Sequence, residues 1–247
     1  MERGNELIII VRTRRRKMLT IGIIDDGIGF VPTLTKLKQV VCARFVCMVD
    51  SEYFPLGNCN SKQLMTVGSR DVGKLIELGC NAVVLSSVAL SSRCLKPLSL
   101  AQPDLAIFGC DAPIMHASTY TASRVLVVGD SFAVRSHTLS GIIPVAMPLF
   151  PELAETGDER EIVRYVSECC EQLYGQFDCI ALANSSMNMY KHCFSRVFPN
   201  VQIFDSLEGV ARRIRKKYRK FARDDSFVTI VDAVGNEISE KYSFFID

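Results

Sequence analysis

The sequence contains no apolar run that approaches the roughly 18 residues needed to span a membrane. It also lacks the order of a secretory signal, because the apolar run at 7–11 precedes the basic stretch RTRRRK instead of following it. These absences favour a cytoplasmic protein whose ten cysteines are thiols. The cysteines form no C-x-x-C motif and no Cys/His pair at zinc spacing, so we expect most of them to be small buried residues. The sequence predicts no metal site and no cofactor site.

Two nucleotide-binding motifs are also missing, although the stretch IGIIDDGIGF (21–30) invites the comparison. Ile28 stands where the lysine of a phosphate-binding P-loop belongs, and Pro32 stands where a dinucleotide fingerprint needs its third glycine. The adjacent carboxylates of Asp25 and Asp26 would repel a pyrophosphate. Phosphate binding by this loop is therefore excluded.

What the sequence does contain is a series of short runs rich in Val and Ile, separated by segments of helix length. The runs lie at 19–25, 43–50, 81–87, 104–110, 124–130, 179–185 and 201–206. Such runs are typical of strands buried on both faces, and their alternation with helices predicts an α/β fold with parallel sheets. Most runs end in Asp, Ser, Gly or Asn. Because ligands bind beyond the carboxyl ends of parallel strands, we expect the functional site there.

The strand ends also form a repeated pattern. Asp25 ends one strand and SSVA (86–89) ends a later one, while Asp130 ends a strand that is followed by NSSM (184–187) at the end of another. This pattern indicates two similar lobes that face each other across a cleft.

The same stretches resemble the motifs of glutamate racemases, a branch of the aspartate/glutamate racemase superfamily, in order and in register from about residue 18 to 247. IGIIDDGIGF is similar to I-G-V-F-D-S-G-V-G-G, and DSEYFPLGNCNS (50–61) to D-T/S-A-R-x-P-Y-G-x-K-S. NAVVLSSVALS (81–91) resembles I-V-V-A-C-N-T-A-S, and FDCIALANSSMNM (177–189) lies where D-x-L-V-L-G-C-T-H-Y-P belongs. Three further matches are AIFGCDAP (106–113), VLVVGDSFAVRS (125–136) and IFDS (203–206).

The resemblance implies two pseudo-symmetric α/β lobes, each a mainly parallel sheet flanked by helices, with a cleft between them. The first lobe would take residues 18–110 and 205–247, and the second 111–204. A homodimer is a further expectation. Residues 1–17 have no counterpart in the racemase motifs and carry six Lys/Arg against two Glu. They are interpreted either as a disordered basic arm or as a misassigned start before Met18.

The family racemises glutamate without a cofactor, using one cysteine on each face of the α-carbon. Ser86 and Asn184 occupy these two positions here. A serine hydroxyl is a far weaker acid than a thiol, and an amide offers no basic lone pair at neutral pH. The resemblance places the substrate pocket at Asp25, Asp26, Pro55, Leu56, Gly57, Ser87, Val88, Ser185 and Ser186. Cys110 is a candidate substitute thiol.

Further departures affect the groups around the substrate. Asp26 replaces a serine of the family, Leu56 a tyrosine and Ser186 a histidine. A carboxylate at position 26 would repel a ligand that itself carries two carboxylates. The resemblance and these departures together predict a glutamate racemase-like protein that is catalytically impaired, a pseudoenzyme, with a small dicarboxylate or an amino acid as its candidate ligand. The alternative is an active glutamate racemase that supplies D-glutamate for peptidoglycan through unconventional acid/base groups.

A third interpretation is a regulatory binding module that acts through a basic C-terminal helix. Residues 212–223 include eight Lys/Arg, and one helical stripe carries apolar side chains at Leu207, Val210, Ala211, Ile214, Tyr218 and Phe221. The charges form either a solvated face or a contact surface for nucleic acid or an acidic protein. Some glutamate racemases bind DNA gyrase, which gives a partner surface a precedent in the family.

Overall fold

The structure is a computed structural model and describes residues 18–121, 124–135, 140–218 and 227–246. The N-terminal extension 1–17 and residues 219–223 of the basic segment lie outside these ranges. The strands are β1 (Thr20–Asp25), β2 (Arg44–Val49), β3 (Ala82–Leu85), β4 (Ala106–Gly109), β5 (Val125–Gly129), β6 (Ile142–Ala146), β7 (Cys179–Ala183), β8 (Gln202–Phe204) and β9 (Phe227–Asp232).

Helices connect these strands in sequence order. They are α1 (Phe30–Lys38), α2 (Ser61–Glu77), α3 (Val88–Ala101), α4 (Ile114–Thr121), α5 (Ser131–Arg135), α6 (Phe150–Thr156), α7 (Glu159–Cys170), α8 (Lys191–Val197), α9 (Leu207–Lys217) and α10 (Ser243–Ile246). Short 3-10 turns lie at Leu56–Asn58, Glu171–Leu173, Ser186–Asn188 and Ser239–Tyr242.

Two parallel sheets organise the chain. The first has the order β4-β3-β1-β2-β9, the second has the order β6-β5-β7-β8, and all neighbouring strands pair in parallel. The predicted α/β class with two parallel sheets flanked by helices is thereby confirmed. Each of the seven predicted runs contains one strand, whereas β6 and β9 were not predicted.

The central strands are fully buried, which explains their lack of alternation. Every residue of β1, β5 and β7 is buried, because helices cover both faces of each sheet. A single apolar cluster runs from Ile23 of β1 to Val128 of β5 and Leu182 of β7. The two sheets thus share one core, and this core holds the carboxyl ends of β1 and β7 near each other.

The last long helix has the predicted amphipathic pattern over its described part. Val210, Ala211 and Ile214 of α9 are buried, while Arg215 and Lys216 are exposed. Seven of the ten cysteines are buried, as expected for small apolar residues. No helix in the described part of the chain combines the length and the apolar character that a bilayer crossing requires.

Candidate functional site

The candidate site lies where β1 and β7, the central strands of the two sheets, end. Asp25 is the last residue of β1, and Ser185 follows β7 by two positions. The Ser185 hydroxyl donates to Oδ1 of Asp25 at 3.2 Å, although 160 residues separate the two in sequence. The sequence placed the site at these strand ends, and the structure brings these two predicted residues into contact.

The loop after β1 is held by its own carboxylates. Oδ1 of Asp25 accepts the backbone N–H of Asp26 at 2.9 Å, and Oδ2 of Asp26 accepts the N–H of Leu56 at 2.6 Å. Leu56 belongs to the 3-10 turn that follows β2, so the second carboxylate fixes one loop of the first sheet to another. Asp26 therefore has a structural partner of its own in this structure.

The glycines of this loop leave room for side chains of the opposite sheet. A Cβ on Gly29 would lie 2.6 Å from Cβ of Ser185 and 2.9 Å from Oδ2 of Asp25. A Cβ on Gly27 would collide with the carboxylate of Glu155. The glycines of IGIIDDGIGF thus permit a close approach between polypeptide segments, and no phosphate is needed to explain them.

Glu155 is a site residue that the sequence analysis did not identify. It lies on α6, and its Oε1 accepts the backbone N–H of Ile28 at 2.6 Å. Partial burial raises the pKa of this carboxyl above its ordinary value. No pattern or spacing in the sequence identifies Glu155. It lies in a short helix, and this helix follows β6, a strand that was itself not predicted.

Ser86 and Asn184, which the sequence resemblance assigns to the cysteine positions of glutamate racemases, are both hydrogen-bonded to neighbours. Oγ of Ser86 lies 2.8 Å from Oγ1 of Thr33 and donates to the backbone carbonyl of Gly29 at 3.2 Å. Ser86 is only 1% exposed. Oδ1 of Asn184 accepts from the backbone N–H of Ser186 at 3.0 Å and from its hydroxyl at 2.7 Å. Neither side chain is a base at neutral pH.

The carboxyls of the site are shifted towards their neutral forms. Burial raises the pKa of Asp25 well above its usual range, and the neighbouring charge of Asp26 raises it further. Burial also raises the pKa of Asp26. Oδ2 of Asp25 has no hydrogen-bond partner among the described residues. An unpartnered buried carboxylate oxygen is costly when charged, which is consistent with a protonated Asp25.

Cys110, the candidate substitute thiol, directly follows β4. It is 1% exposed, and burial raises the pKa of its thiol to about 12. Cys110 is absent from the lining of the cavity between the sheets. Its thiol is therefore poorly suited to deprotonation at neutral pH.

The cavity between the strand ends is almost filled. Its volume is about 10 Å³, close to the minimum that one water molecule requires. Its lining combines both sheets: Asp25, Asp26, Gly27, Ile28, Gly29, Phe54, Pro151, Glu155, Asn184, Ser185 and Ser186. Five of the predicted site residues thus meet here, namely Asp25, Asp26, Asn184, Ser185 and Ser186.

The other residues that the resemblance assigns to the substrate pocket do not line this cavity. Pro55 and Leu56 precede or begin the 3-10 turn, and a Cβ on Gly57 would lie 2.6 Å from Cβ of Asp130 at the end of β5. Ser87 and Val88 start helix α3 and are buried. A glutamate-sized ligand therefore does not fit into this cavity. It could bind there only if the two lobes moved apart.

Comparison with known proteins places this geometry in context. No protein-family model matches the chain. A glutamate racemase of Lachnospira eligens is 22% identical over 219 residues, which are 82% of this chain and 83% of the relative.

Solved structures of glutamate racemases share the fold at low sequence identity. The enzyme from Campylobacter jejuni superposes with a TM-score of 0.79 at 13% identity, covering 92% of this chain and 96% of that one. The enzyme from Escherichia coli, solved with L-glutamate and the activator UDP-MurNAc-ala, superposes with a TM-score of 0.72 at 15% identity, covering 87% of this chain and 88% of the other.

Proposed function

We propose that this homologue of the glutamate racemases does not racemise glutamate by the two-thiol route and is a non-catalytic protein with their two-lobed fold. The observation that carries the proposal is the pair of residues at the cysteine positions, Ser86 and Asn184, each already hydrogen-bonded to neighbours. Racemisation requires an acid on one face of the α-carbon and a base on the other, both with pKa values near working pH. A buried hydroxyl and an amide provide neither.

The closed cavity supports the same conclusion from geometry. Ser185 contacts Asp25 across the cavity, and Glu155 contacts the loop after β1, so polar groups of the protein occupy the space between the strand ends. A ligand would have to break both contacts before it could bind. These two hydrogen bonds therefore stabilise the conformation in which the cavity is too small for a ligand.

We also propose that a ligand which opened this cavity would be an amino acid held by its ammonium group. Asp25, Asp26 and Glu155 line the cavity, and no Lys, Arg or His is among its lining residues in the described part of the chain. An ionised carboxyl among them attracts an ammonium and repels a second carboxylate, and a bound ammonium lowers the pKa of its carboxyl partner and so favours the ionised form. This lining favours an amino acid with a neutral side chain over glutamate itself.

The alternative of an active racemase with unconventional groups has one candidate thiol, and its surroundings argue against it. Cys110 is buried outside the cavity, and its raised pKa keeps it protonated. A single thiol could in any case serve only one face of the α-carbon. The supply of D-glutamate for peptidoglycan is thus the less favoured function.

The test is exchange of the α-proton of L- and D-glutamate in D₂O, followed by NMR, with a known glutamate racemase as the positive control. We expect no exchange above the protein-free background and no interconversion of the enantiomers. The variants Ser86→Ala and Cys110→Ser serve as specificity controls. Exchange by the parent chain that either substitution abolishes would overturn the proposal, because it would show a base at that position.

A further inference from the structure

A second cluster of chemically active side chains lies outside the candidate site, between helices α7 and α8. Nε2 of His192 lies 2.8 Å from Oε1 of Glu159 and 3.4 Å from Sγ of Cys193. The three potential ligand atoms all lie within 4.8 Å of one another. Glu159 and His192 are partly exposed, whereas Cys193 is buried, so the cluster opens to solvent on one side.

One pair of ligand atoms already has the separation of a small tetrahedral metal site, and a second pair lies slightly too close. With the usual zinc–nitrogen, zinc–oxygen and zinc–sulfur bond lengths, neighbouring ligand atoms of a tetrahedron are about 3.3–3.6 Å apart. The 3.4 Å separation of the His192 nitrogen and the Cys193 sulfur lies in this range. The separation of the His192 nitrogen and the Glu159 oxygen would have to increase by about half an ångström, which a small rotation of the partly exposed Glu159 side chain can supply.

The surroundings of Glu159 already fix its orientation. Nη1 of Arg196 donates to Oε2 of Glu159 at 2.9 Å, so only Oε1 faces His192. A hydrogen bond to the second oxygen of a ligating carboxylate is a common feature of metal sites, because it orients the ligand. At the start of α7, the side chain of Asp158 accepts the N–H groups of Arg160 and Glu161 and fixes the position of the helix end.

We infer that Glu159, His192 and Cys193 bind a divalent metal ion of the zinc type, with water as the fourth ligand. The combination of carboxylate oxygen, imidazole nitrogen and thiolate sulfur suits zinc and cobalt, and it is unsuited to magnesium or calcium, which take oxygen ligands. On binding, the Cys193 thiol loses its proton to solvent and forms a metal–sulfur bond, and the imidazole of His192 binds through Nε2 as the neutral ring.

The position of the cluster gives the metal a structural consequence. Glu155 of the candidate site lies on α6, four residues before Glu159, and Tyr190 donates its hydroxyl to the carbonyl of Ala154 at 2.8 Å just before α8 begins. The metal would therefore join the segment that carries Glu155 to the segment that follows Ser186. Binding should stiffen one wall of the closed cavity.

The test is a titration of the reduced, metal-free full-length chain with Co²⁺, followed by Zn²⁺ competition. We expect one Co²⁺ per chain, a thiolate-to-cobalt charge-transfer band in the near ultraviolet and loss of that band when zinc is added. Cys193→Ser should abolish the band, and His192→Gln should weaken binding at least about tenfold. Cys169→Ser removes a half-buried thiol of the same lobe that is not part of the cluster and should bind like the parent chain.

Three results would overturn the proposed metal site. The first is a band that persists in Cys193→Ser, because another cysteine would then be the ligand. The second is an absence of stoichiometric binding by the parent chain. Since Cys193 is buried and its substitution could affect folding, His192→Gln at an exposed position provides the independent variant, and unchanged affinity in that variant would contradict the inference as well.

Discussion

The hydroxyl of Ser185 lies 3.2 Å from Oδ1 of Asp25 and joins the ends of the central strands of two different sheets. Both side chains are buried, so this hydrogen bond forms away from water. The contact lies beyond the carboxyl ends of β1 and β7, the edge at which parallel sheets commonly bind ligands. Breaking this hydrogen bond would therefore both destabilise the folded arrangement of the two sheets and make the cavity between them more accessible.

The close approach of Gly29 to Ser185 gives the first prediction. Gly29→Ala should lower the free energy of unfolding by about 1–3 kcal/mol, because its Cβ would lie 2.6 Å from Cβ of Ser185. Ser185→Gly removes the two atoms closest to the added Cβ and leaves Oδ2 of Asp25 at 2.9 Å, so in the double variant the cost of the alanine should fall, with a coupling of roughly 0.5–3 kcal/mol. Urea denaturation of the four proteins measures both quantities.

The matched control is Gly73→Ala in the interior of α2, where an added Cβ would have no neighbour within 4 Å. This substitution should leave stability unchanged or raise it by about 0.4–1 kcal/mol. Strictly additive effects of Gly29→Ala and Ser185→Gly would contradict the close packing described for the loop.

The second prediction concerns restoration of catalysis. The triple variant Ser86→Cys, Asn184→Cys and Ser186→His introduces the residues that the sequence resemblance assigns to these positions in glutamate racemases, yet we expect α-proton exchange to stay near background. A thiol at position 86 would lie buried against Thr33 and the carbonyl of Gly29. A misplacement of about 1 Å can cost about a hundredfold in rate. Deuterium incorporation into both enantiomers of glutamate measures the outcome, and activity at the level of a glutamate racemase would show that only the bases are missing.

The third prediction concerns the pH dependence of stability and a buried carboxyl that does not line the cavity. Asp71 on α2 is fully buried, and desolvation together with the charge of Asp50 raises its pKa to about 7, although Arg70 donates to its Oδ1 at 3.1 Å. Glu52 also pairs with Arg70. Because the folded pKa is above the unfolded value, the folded state binds more protons, and this contribution to stability is lost as the pH rises towards and through 7.

The measurement is the free energy of unfolding at pH 5 and pH 8 for the parent chain and for Asp71→Asn. Between these two pH values the parent should lose about 1–3 kcal/mol relative to the variant. The comparison between the two proteins cancels the contributions of Asp25 and Asp26, whose pKa values are also raised. Parallel pH profiles would show that Asp71 has an ordinary pKa in the folded state.

Five of the seven predicted strands, β1, β2, β3, β5 and β7, lie inside a sheet. TIGIID and VLVVG are continuous apolar runs because helices cover both sides of the sheet. The other four strands are edge strands: the sequence predicted β4 and β8 but not β6 and β9. β6 contains Pro144, which edge strands tolerate, and β9 begins at the exposed Phe227. Their patterns resemble those of loops because an edge strand is only partly buried.

The resemblance to glutamate racemases is confirmed, whereas the division of the lobes at residues 110 and 205 stays a prediction.

Some residues of the candidate site could be found from the sequence, and others could not. Asp25 and Ser185 could be found because they end predicted strands. Glu155 could not, because it projects from a helix, and the partners Glu159 and His192 are 33 residues apart on separate helices, a spacing that no local metal motif contains.

The last prediction concerns the basic helix, for which Arg215 and Lys216 are exposed beside the buried stripe of α9. If these charges contact an anionic partner, affinity for duplex DNA should fall with a slope of about −0.9 in log K against log salt for each neutralised phosphate. We expect weak binding to DNA that disappears near physiological salt, because we interpret these charges mainly as a face exposed to solvent.

The double variant Arg215→Glu with Lys216→Glu should abolish the low-salt binding without changing the free energy of unfolding, since both side chains lie off the apolar stripe. A salt titration by fluorescence anisotropy measures the slope. Binding that survives at physiological salt and is lost in the double variant would instead identify α9 as a partner surface.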